Sequence, residues 1–233
     1  MLMKTSRRPA SPRLDRKADI LLAAEKLFAQ SGYHAVSIRD IAQEAGVPLA
    51  LVGYHYGPKH ELFHAIFAHW NSTIEERLRE LKNSHTLPRI VDAFVGPVLR
   101  MRESSEGEYY ALLVARELFH VHDESDRVLR DFFDPLAHAF IDALNVALPH
   151  CARGQIAWGY QFALGAMLHH ISDDRVARLS KGQCAPSDPA AAALLTRFIV
   201  GGLRAALPVP KPAIKKLPPI SKRPVKTKER DKP

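Results

Sequence analysis

The chain has 233 residues, 46% of them hydrophobic and 25% charged, with a formal net charge of +8. That length makes one large domain or two small ones, and no uninterrupted apolar run is long enough for a membrane-spanning helix, which needs about 20 residues. The two cysteines, Cys151 and Cys184, form neither a CxxC pair nor a zinc-ligand spacing, which excludes a disulfide framework or a zinc ribbon.

Most of the positive charge lies at the ends. Residues 1–17 carry +5 and residues 208–233 carry +7, which leaves −4 for residues 18–207. Basic tails beside a mildly acidic body suit a polyanionic partner, because neutralised phosphates release condensed counterions. For the C-terminal tail the alternative, that Lys-rich ends simply keep the protein soluble, stands beside it. No apolar segment follows the basic start, so a secretory leader is not expected. A cytoplasmic protein with both thiols reduced is.

In chain order, residues 1–12 read as a disordered basic arm. Ile20, Leu21, Ala24, Leu27 and Phe28 share one helical face, and Gly32 supplies the stop. Ser37 is the natural cap of a second helix, with Asp40 three residues on as a capping box. Ile38, Ile41, Ala42 and Ala45 form its inner face, and Gly46 ends it. Pro48 suits the first turn of a third helix, where its missing N–H costs nothing. That helix runs to about Tyr56, and Gly57-Pro58 breaks it. One long helix is predicted over 59–82, with Leu62, Phe63, Ile66, Phe67, Trp70, Ile74, Leu78 and Leu81 as its stripe. Further helices are predicted at about 87–102, 107–121, 125–148, 154–179 and 188–207, with a kink at Pro135. Residues 208–233, with seven prolines and seven lysines, have almost nothing to bury and read as a disordered tail. The expectation is an all-α protein of about nine helices, with an N-terminal unit over 13–58 and a helical body over 59–207.

Two short helices joined by Ala45-Gly46-Val47 make a helix-turn-helix, whose second helix is presented to a DNA major groove. The spacing of Ile20-Leu21, Ala23-Ala24, Leu27-Phe28, Gly32-Tyr33, Ser37, Ile41-Ala42, Ala45-Gly46-Val47, Tyr54-His55-Tyr56 and Lys59 before Leu62 closely resembles the DNA-binding region of the TetR family of transcription regulators. The resemblance covers residues 14–62. It implies that Ser37 caps the second helix and touches phosphate, and that Ile38, Arg39 and Gln43 lie at the second helix on the DNA side. It further implies that Pro48, Leu49, Ala50, Leu51 and Gly53 face the bases, and that Tyr54, His55, Tyr56 and Lys59 meet phosphates or a thymine methyl. Two departures stand out. The base-facing surface is small and apolar, which shifts specificity toward thymine methyls, Arg39, Gln43 and DNA shape. Pro58 replaces the usual serine cap before Lys59. Arg13, Arg16 and Lys17 are expected to track the DNA backbone as a basic arm.

In the body, His120, His122, Asp123 and Glu124 could form a metal site, but their spacing is poor for one helix face, and they read first as a solvated or pocket-lining helix end. His169 and His170, with Asp173 and Asp174 four residues on, read first as helix-terminal charge pairs, with cation binding as the alternative. Glu103, Glu106 and Glu108 flank Gly107 as loop carboxylates. No GxSxG, HExxH or glycine-rich phosphate loop is present, so neither an enzyme nor a cofactor is expected. Ile156, Tyr160, Ala163, Leu164, Met167 and Leu168 form one apolar stripe and Leu194, Leu195, Phe198, Ile199, Leu203 and Leu207 another, interleaved with small residues; they read as a dimer surface, which the family resemblance places in a four-helix bundle of two subunits, with intrachain core as the alternative. Residues 154–207 also resemble, faintly, a branch of the family that answers to fatty acids or their thioesters. Phe94, Leu113, Phe119, Phe140, Phe162 and Met167 are expected to line a pocket for an apolar small-molecule effector, although core packing explains the same residues. The function the resemblance implies is a homodimeric, sequence-specific regulator of operator DNA, a repressor released by its ligand. The competing reading is a helical interaction module that has kept the fold and lost sequence-specific DNA binding.

Overall fold

The computed structural model describes residues 15–105, 107–119, 122–186 and 188–207. The basic arm with Arg13, the C-terminal tail, Glu106 and His120 lie outside them. The described residues form twelve α-helices. Three of the nine helices expected from sequence are each divided in two.

Helix α1 (Arg16–Ser31) is capped by Asp15, whose carboxylate accepts from the N–H groups of Lys17 and Ala18. At its end Gly32 takes φ +84, and a side chain there would meet the Arg116 guanidinium at 2.8 Å. Helix α2 (Ile38–Glu44) opens on the expected capping box: Ser37 N–H donates to Asp40 Oδ2 at 2.8 Å, and Asp40 N–H donates to Ser37 Oγ at 3.2 Å. It closes with Gly46 at φ +63, Gly46 N–H on the Gln43 carbonyl and Val47 N–H on the Ala42 carbonyl. That is the left-handed cap that lets a helix reverse within three residues. Helix α3 (Leu49–Tyr56) follows, with Pro48 one position earlier than expected, as its cap.

The long helix expected over 59–82 is two helices, α4 (Lys59–His69) and α5 (Asn71–Lys82), meeting at Trp70. Tertiary contacts hold Trp70 there. Its indole N–H donates to Glu25 Oε2 at 2.8 Å, and its ring stacks on Tyr110 with centroids 5.0 Å apart. Helix α6 (Leu87–Glu103) runs through Pro97, and α7 is Glu108–Phe119. The helix expected over 125–148 is α8 (Asp123–Val128), a π-helical turn at Leu129–Phe133 and α9 (Asp134–Ala147). Pro135 has no N–H and its ring crowds the carbonyl four residues back. The wider turn just before it, with Asp134 N–H on the Leu129 carbonyl, accommodates this. Helix α10 (Arg153–Ser172) ends before a separate short α11 (Val176–Leu179), and α12 is Pro189–Ala206.

Two apolar cores result. The N-terminal core gathers α1–α3 around Phe28, Phe63, Phe67 and Ile41 and takes in all of the buried face of α4, together with Tyr110 and Leu113 of α7 and Val128 of α8. The domain boundary expected at residue 58 therefore falls inside this core. The body core packs α5, α6, α9, α10 and α12 around Phe94, Phe140, Ile156 and Leu203. Helix α7 belongs to both, and that placement joins the two halves.

Candidate nucleic-acid interface and body cavity

Helix α3 buries Val52 completely and turns Leu49, Ala50, Gly53 and Tyr54 outward, with Tyr54 81% exposed. These four positions make one continuous outer stripe of a helix, since i, i+1, i+4 and i+5 share a side. Pro48 at its start is also exposed, as are Ser37, Arg39 and Gln43 on and before α2, while Ile38 is half-buried. Tyr54 and His55 meet edge to face at 5.1 Å.

Three of the residues expected at DNA are partly engaged inside the fold. Leu51 is half-buried against the N-terminal core. Tyr56 donates its hydroxyl to the Lys17 carbonyl at 2.8 Å, and burial pushes its phenol up to about 12. Lys59 folds its ammonium over the Tyr33 ring at 4.2 Å, where burial pulls its pKa down while Glu124 acts in the opposite sense. Lys59 thus packs against the N-terminal core, a role its place in the sequence did not disclose. Pro58 caps α4 without any side-chain hydrogen bond.

The electrostatics of the exposed side are informative. Arg16 and Lys17 sit in the first turn of α1, and Arg39 in the first turn of α2; all three are exposed. A helix N-terminus carries partial positive charge and favours acids, so each of these cations is placed against the dipole. Gly53 lies in the interior of α3 with open space where a Cβ would be. Gly53→Ala is therefore expected to raise the unfolding free energy by roughly 0.5–1 kcal/mol, the usual helix cost of glycine, measurable as a higher denaturant midpoint.

Beyond the helix-turn-helix, polar contacts tie it to the body. Arg127 pairs with Glu61 at 3.0 Å, and His64 meets Asp131 at 2.9 Å. His122 caps α8, stacks on Tyr33 at 5.3 Å and lies 2.8 Å from Glu117 and 3.1 Å from Glu124. Ligand atoms of His34, His122 and Glu124 fall within 4.8 Å of one another, a set that could hold a metal ion. The sequence placed His122 at a solvated helix end; the fold brings it against the α1–α2 loop instead. His169 lies 3.4 Å from Asp173, but Asp173 is claimed by Arg175, which holds that carboxylate down at about 2.

The body contains a cavity of about 260 Å³ between α5, α6, α7, α9 and α10. Of the residues expected to line a pocket, Phe94 and Met167 do so, and Phe140 packs behind Phe94 at 5.1 Å. The other three lie elsewhere. Leu113 is fully buried in the N-terminal core on the opposite face of α7, Phe119 is exposed at the end of α7, and Phe162 is 65% exposed on the outer side of α10. Sequence reasoning missed Arg77, which lines this cavity from α5. The signal was there: Arg77 falls three residues after Ile74 and four before Leu81, a charge within the apolar stripe.

On the outside of the body, Trp158 and Phe162 of α10 and Phe198 of α12 are exposed and border a groove of about 580 Å³ floored by Gly159, Ile199 and Leu203; Leu194 of α12 is exposed as well. Among the described residues, no helix is long and apolar enough to cross a membrane.

Comparison with known proteins agrees with this architecture. Residues 20–66 match the model of bacterial regulatory proteins of the tetR family, and residues 92–202 match that of the tetracyclin repressor-like C-terminal domain. The chain is 31% identical to the HTH-type transcriptional activator FasR of Mycolicibacterium smegmatis over 36% of its own length, a match spanning only 40% of that relative. It is 26% identical to the HTH-type transcriptional regulator BetI of Brucella canis over 79% of this chain and 89% of BetI. Its fold is similar to that of the fatty acid degradation regulator FadR from Bacillus halodurans, with a TM-score of 0.60, 14% identity and coverage of 83% of this chain and 99% of that one. With family models matching both its helix-turn-helix and its helical body, the chain belongs to the TetR family of bacterial regulatory proteins.

Proposed function

We propose that this protein is a homodimeric, sequence-specific DNA-binding regulator whose hold on its operator is released by a ligand in the body. The observation that carries the reading is the exposed face of α3, Leu49, Ala50, Gly53 and Tyr54, beside three cations at helix N-termini that self-contained stability would not place there. Phosphate contacts from Arg16, Lys17 and Arg39 fix register, while Leu49, Ala50 and Tyr54 read thymine methyls and groove shape. The exposed apolar face of α10 and α12 suits a second copy of the chain, which would set two recognition helices about 34–36 Å apart for successive major grooves.

The route from ligand to DNA runs through α7. One side of that helix, Ala111, Val114 and Leu118, walls the body cavity. The other side, Tyr110 and Leu113, sits in the N-terminal core, and Arg116 Nη1 donates to the carbonyls of Ala29 and Gln30 in α1 at 3.4 Å each. A ligand that prefers one position of α7 thereby prefers one position of α1 and of the recognition helix. It shifts the equilibrium only by its differential affinity for the two. The broken α4–α5 pair is a less direct route than the single long helix expected from sequence. The faint resemblance to the fatty-acid-responsive branch is supported by likeness of fold to FadR.

The test is selection of bound sequences from a random duplex pool at physiological salt with the full-length protein. A palindromic consensus is expected, and Arg16→Ala should lower the slope of log K against log salt by about 0.9. Recovery of no consensus, with affinity equal on scrambled duplex, would sink this reading in favour of an interaction module that has kept the fold alone.

A further inference from the structure

Among the described residues, Arg77 is the one buried cation, 7% exposed beside the apolar body core. Its guanidinium is ionised at any physiological pH and offers five N–H donors in a planar fork. Among the described residues, only Nη2 is hydrogen-bonded, to the Phe94 carbonyl at 3.1 Å, and Nε is buried without a partner. The rings of Phe94 and Phe140 lie 5.5 and 5.6 Å from Cζ and offset part of the lost hydration.

Among the described residues, no carboxylate forms an ion pair with this guanidinium. The field of Glu80 reaches it, but Glu80 is paired with Arg100 at 3.2 Å. Tyr110 and Tyr160 are close, yet burial raises both phenols well above neutral pH, so they are uncharged there. The Tyr110 hydroxyl is itself buried without a partner. Asp134 also borders the cavity, but as an exposed residue at its rim. A buried ion with unused donors is costly to keep, and a hydrophobic residue of the same size removes that cost. The fold keeps the ion in the wall of a cavity, which leaves room beside it for a counter-charge from outside the chain.

We propose that the cavity around Arg77 binds a small carboxylate, its anionic head on the guanidinium and a compact apolar body against Phe94, Val98, Leu118 and Met167. This rests on the regulator reading only for its consequence on DNA; the binding itself does not. Arg matches a carboxylate with two parallel hydrogen bonds, whereas a neutral alcohol or hydrocarbon leaves the charge unmet. The volume of about 260 Å³ sits just below the usual range of ligand pockets, about 300–1,000 Å³. A six- to eight-carbon acid suits it better than a long acyl thioester, and the apolar effector expected from sequence thus gains a charged end.

The experiment is calorimetric titration of the full-length protein with benzoate and hexanoate, and in parallel with benzyl alcohol and hexanol. Each acid is expected to bind at least ten-fold more tightly than its alcohol. Arg77→Met keeps the length and packing of the side chain without the charge; it is expected to fold, to melt higher than wild type, and to bind acid and alcohol alike. Arg77→Lys should keep part of the preference. Equal affinity of wild type for acid and alcohol, no binding of either, or a preference that survives in Arg77→Met would each overturn the proposal. Adding benzoate to the protein on its selected operator separates the two ideas. Acid binding without any operator response leaves the site standing and overturns ligand release, whereas operator binding without acid binding does the reverse.

Discussion

Trp158→Arg combined with Phe198→Arg is expected to convert the protein from dimers to monomers and to weaken binding to a two-half-site operator by about 10²–10⁴-fold. Both side chains are already about two-thirds exposed, at 66% and 69%, so the double variant leaves the core of each chain untouched. Trp158 stacks on Phe162 at 5.8 Å with an interplanar angle of 27°, and Phe198 faces the same groove from α12. Three such aromatics offer roughly 300–500 Å² of apolar surface per chain, at about 150–250 Å² each when whole. That is the size of the largest apolar patch on an ordinary monomer, about 300–600 Å², and a patch of this size often serves as an interaction surface. An isologous contact brings each stripe against its own copy, and four guanidinium groups placed there repel across the two-fold axis. Sedimentation equilibrium reads the mass and fluorescence anisotropy reads the affinity. A dimer that survives the double substitution would place the subunit contact on another face; monomers with undiminished operator affinity would remove the dimer from the mechanism.

Raising the pH from 5 to 8 is expected to cost the wild-type protein about 3 kcal/mol more unfolding free energy than it costs Glu25→Gln. Glu25 is 2% exposed in α1, among the apolar side chains of the N-terminal core. Desolvation raises its pKa from 4.5 to about 7, and hydrogen bonds from the Trp70 indole and the Tyr110 backbone N–H only partly oppose that. The folded state therefore binds a proton that the unfolded chain has released between pH 4.5 and about 7. Native protons in excess mean that stability falls as pH rises through that window, at about 1.4 kcal/mol per pH unit, and stays lower above it. Glutamine cannot titrate, so the two stability curves separate across that window and run parallel above it. Thermal unfolding at several pH values measures the gap, about 5–10 °C at pH 8 for a chain of this size. A gap that does not change with pH would mean that Glu25 stays ionised in the fold. The location gives this consequence for function: Glu25 joins α1 to Trp70 and to the first turn of α7, the helix that also walls the cavity.

The helix-turn-helix was legible in the sequence because its signals are local. Ser37 and Asp40 cap a helix three residues apart, and Gly46 supplies the positive φ of the reversal. Ile41, Ala42 and Val52 fall at helical spacing on the inner side. Each of these is decided within about one turn of backbone, so composition and spacing suffice. The apolar stripes of α10 and α12 were legible for the same reason, and so was the all-α class. Tertiary structure alone decided where the helices break and what the interior residues do. Trp70 sits on an unbroken apolar stripe, and the helix bends there because Glu25 and Tyr110, far away in sequence, hold its ring. Lys59 reads as a phosphate ligand by position, yet its ammonium lies over Tyr33, and Phe162 reads as pocket yet faces outward. A residue on an apolar helix face does not say which neighbour it will meet. Tyr110 and Ala111 are adjacent in α7 and end in different places, one in the N-terminal core and one at the cavity, because successive residues on a helix point about 100° apart and α7 is packed on both sides. Periodicity fixes which residues share an apolar face; only the packing of one helix against another fixes whether that face becomes core, cavity wall or exposed surface.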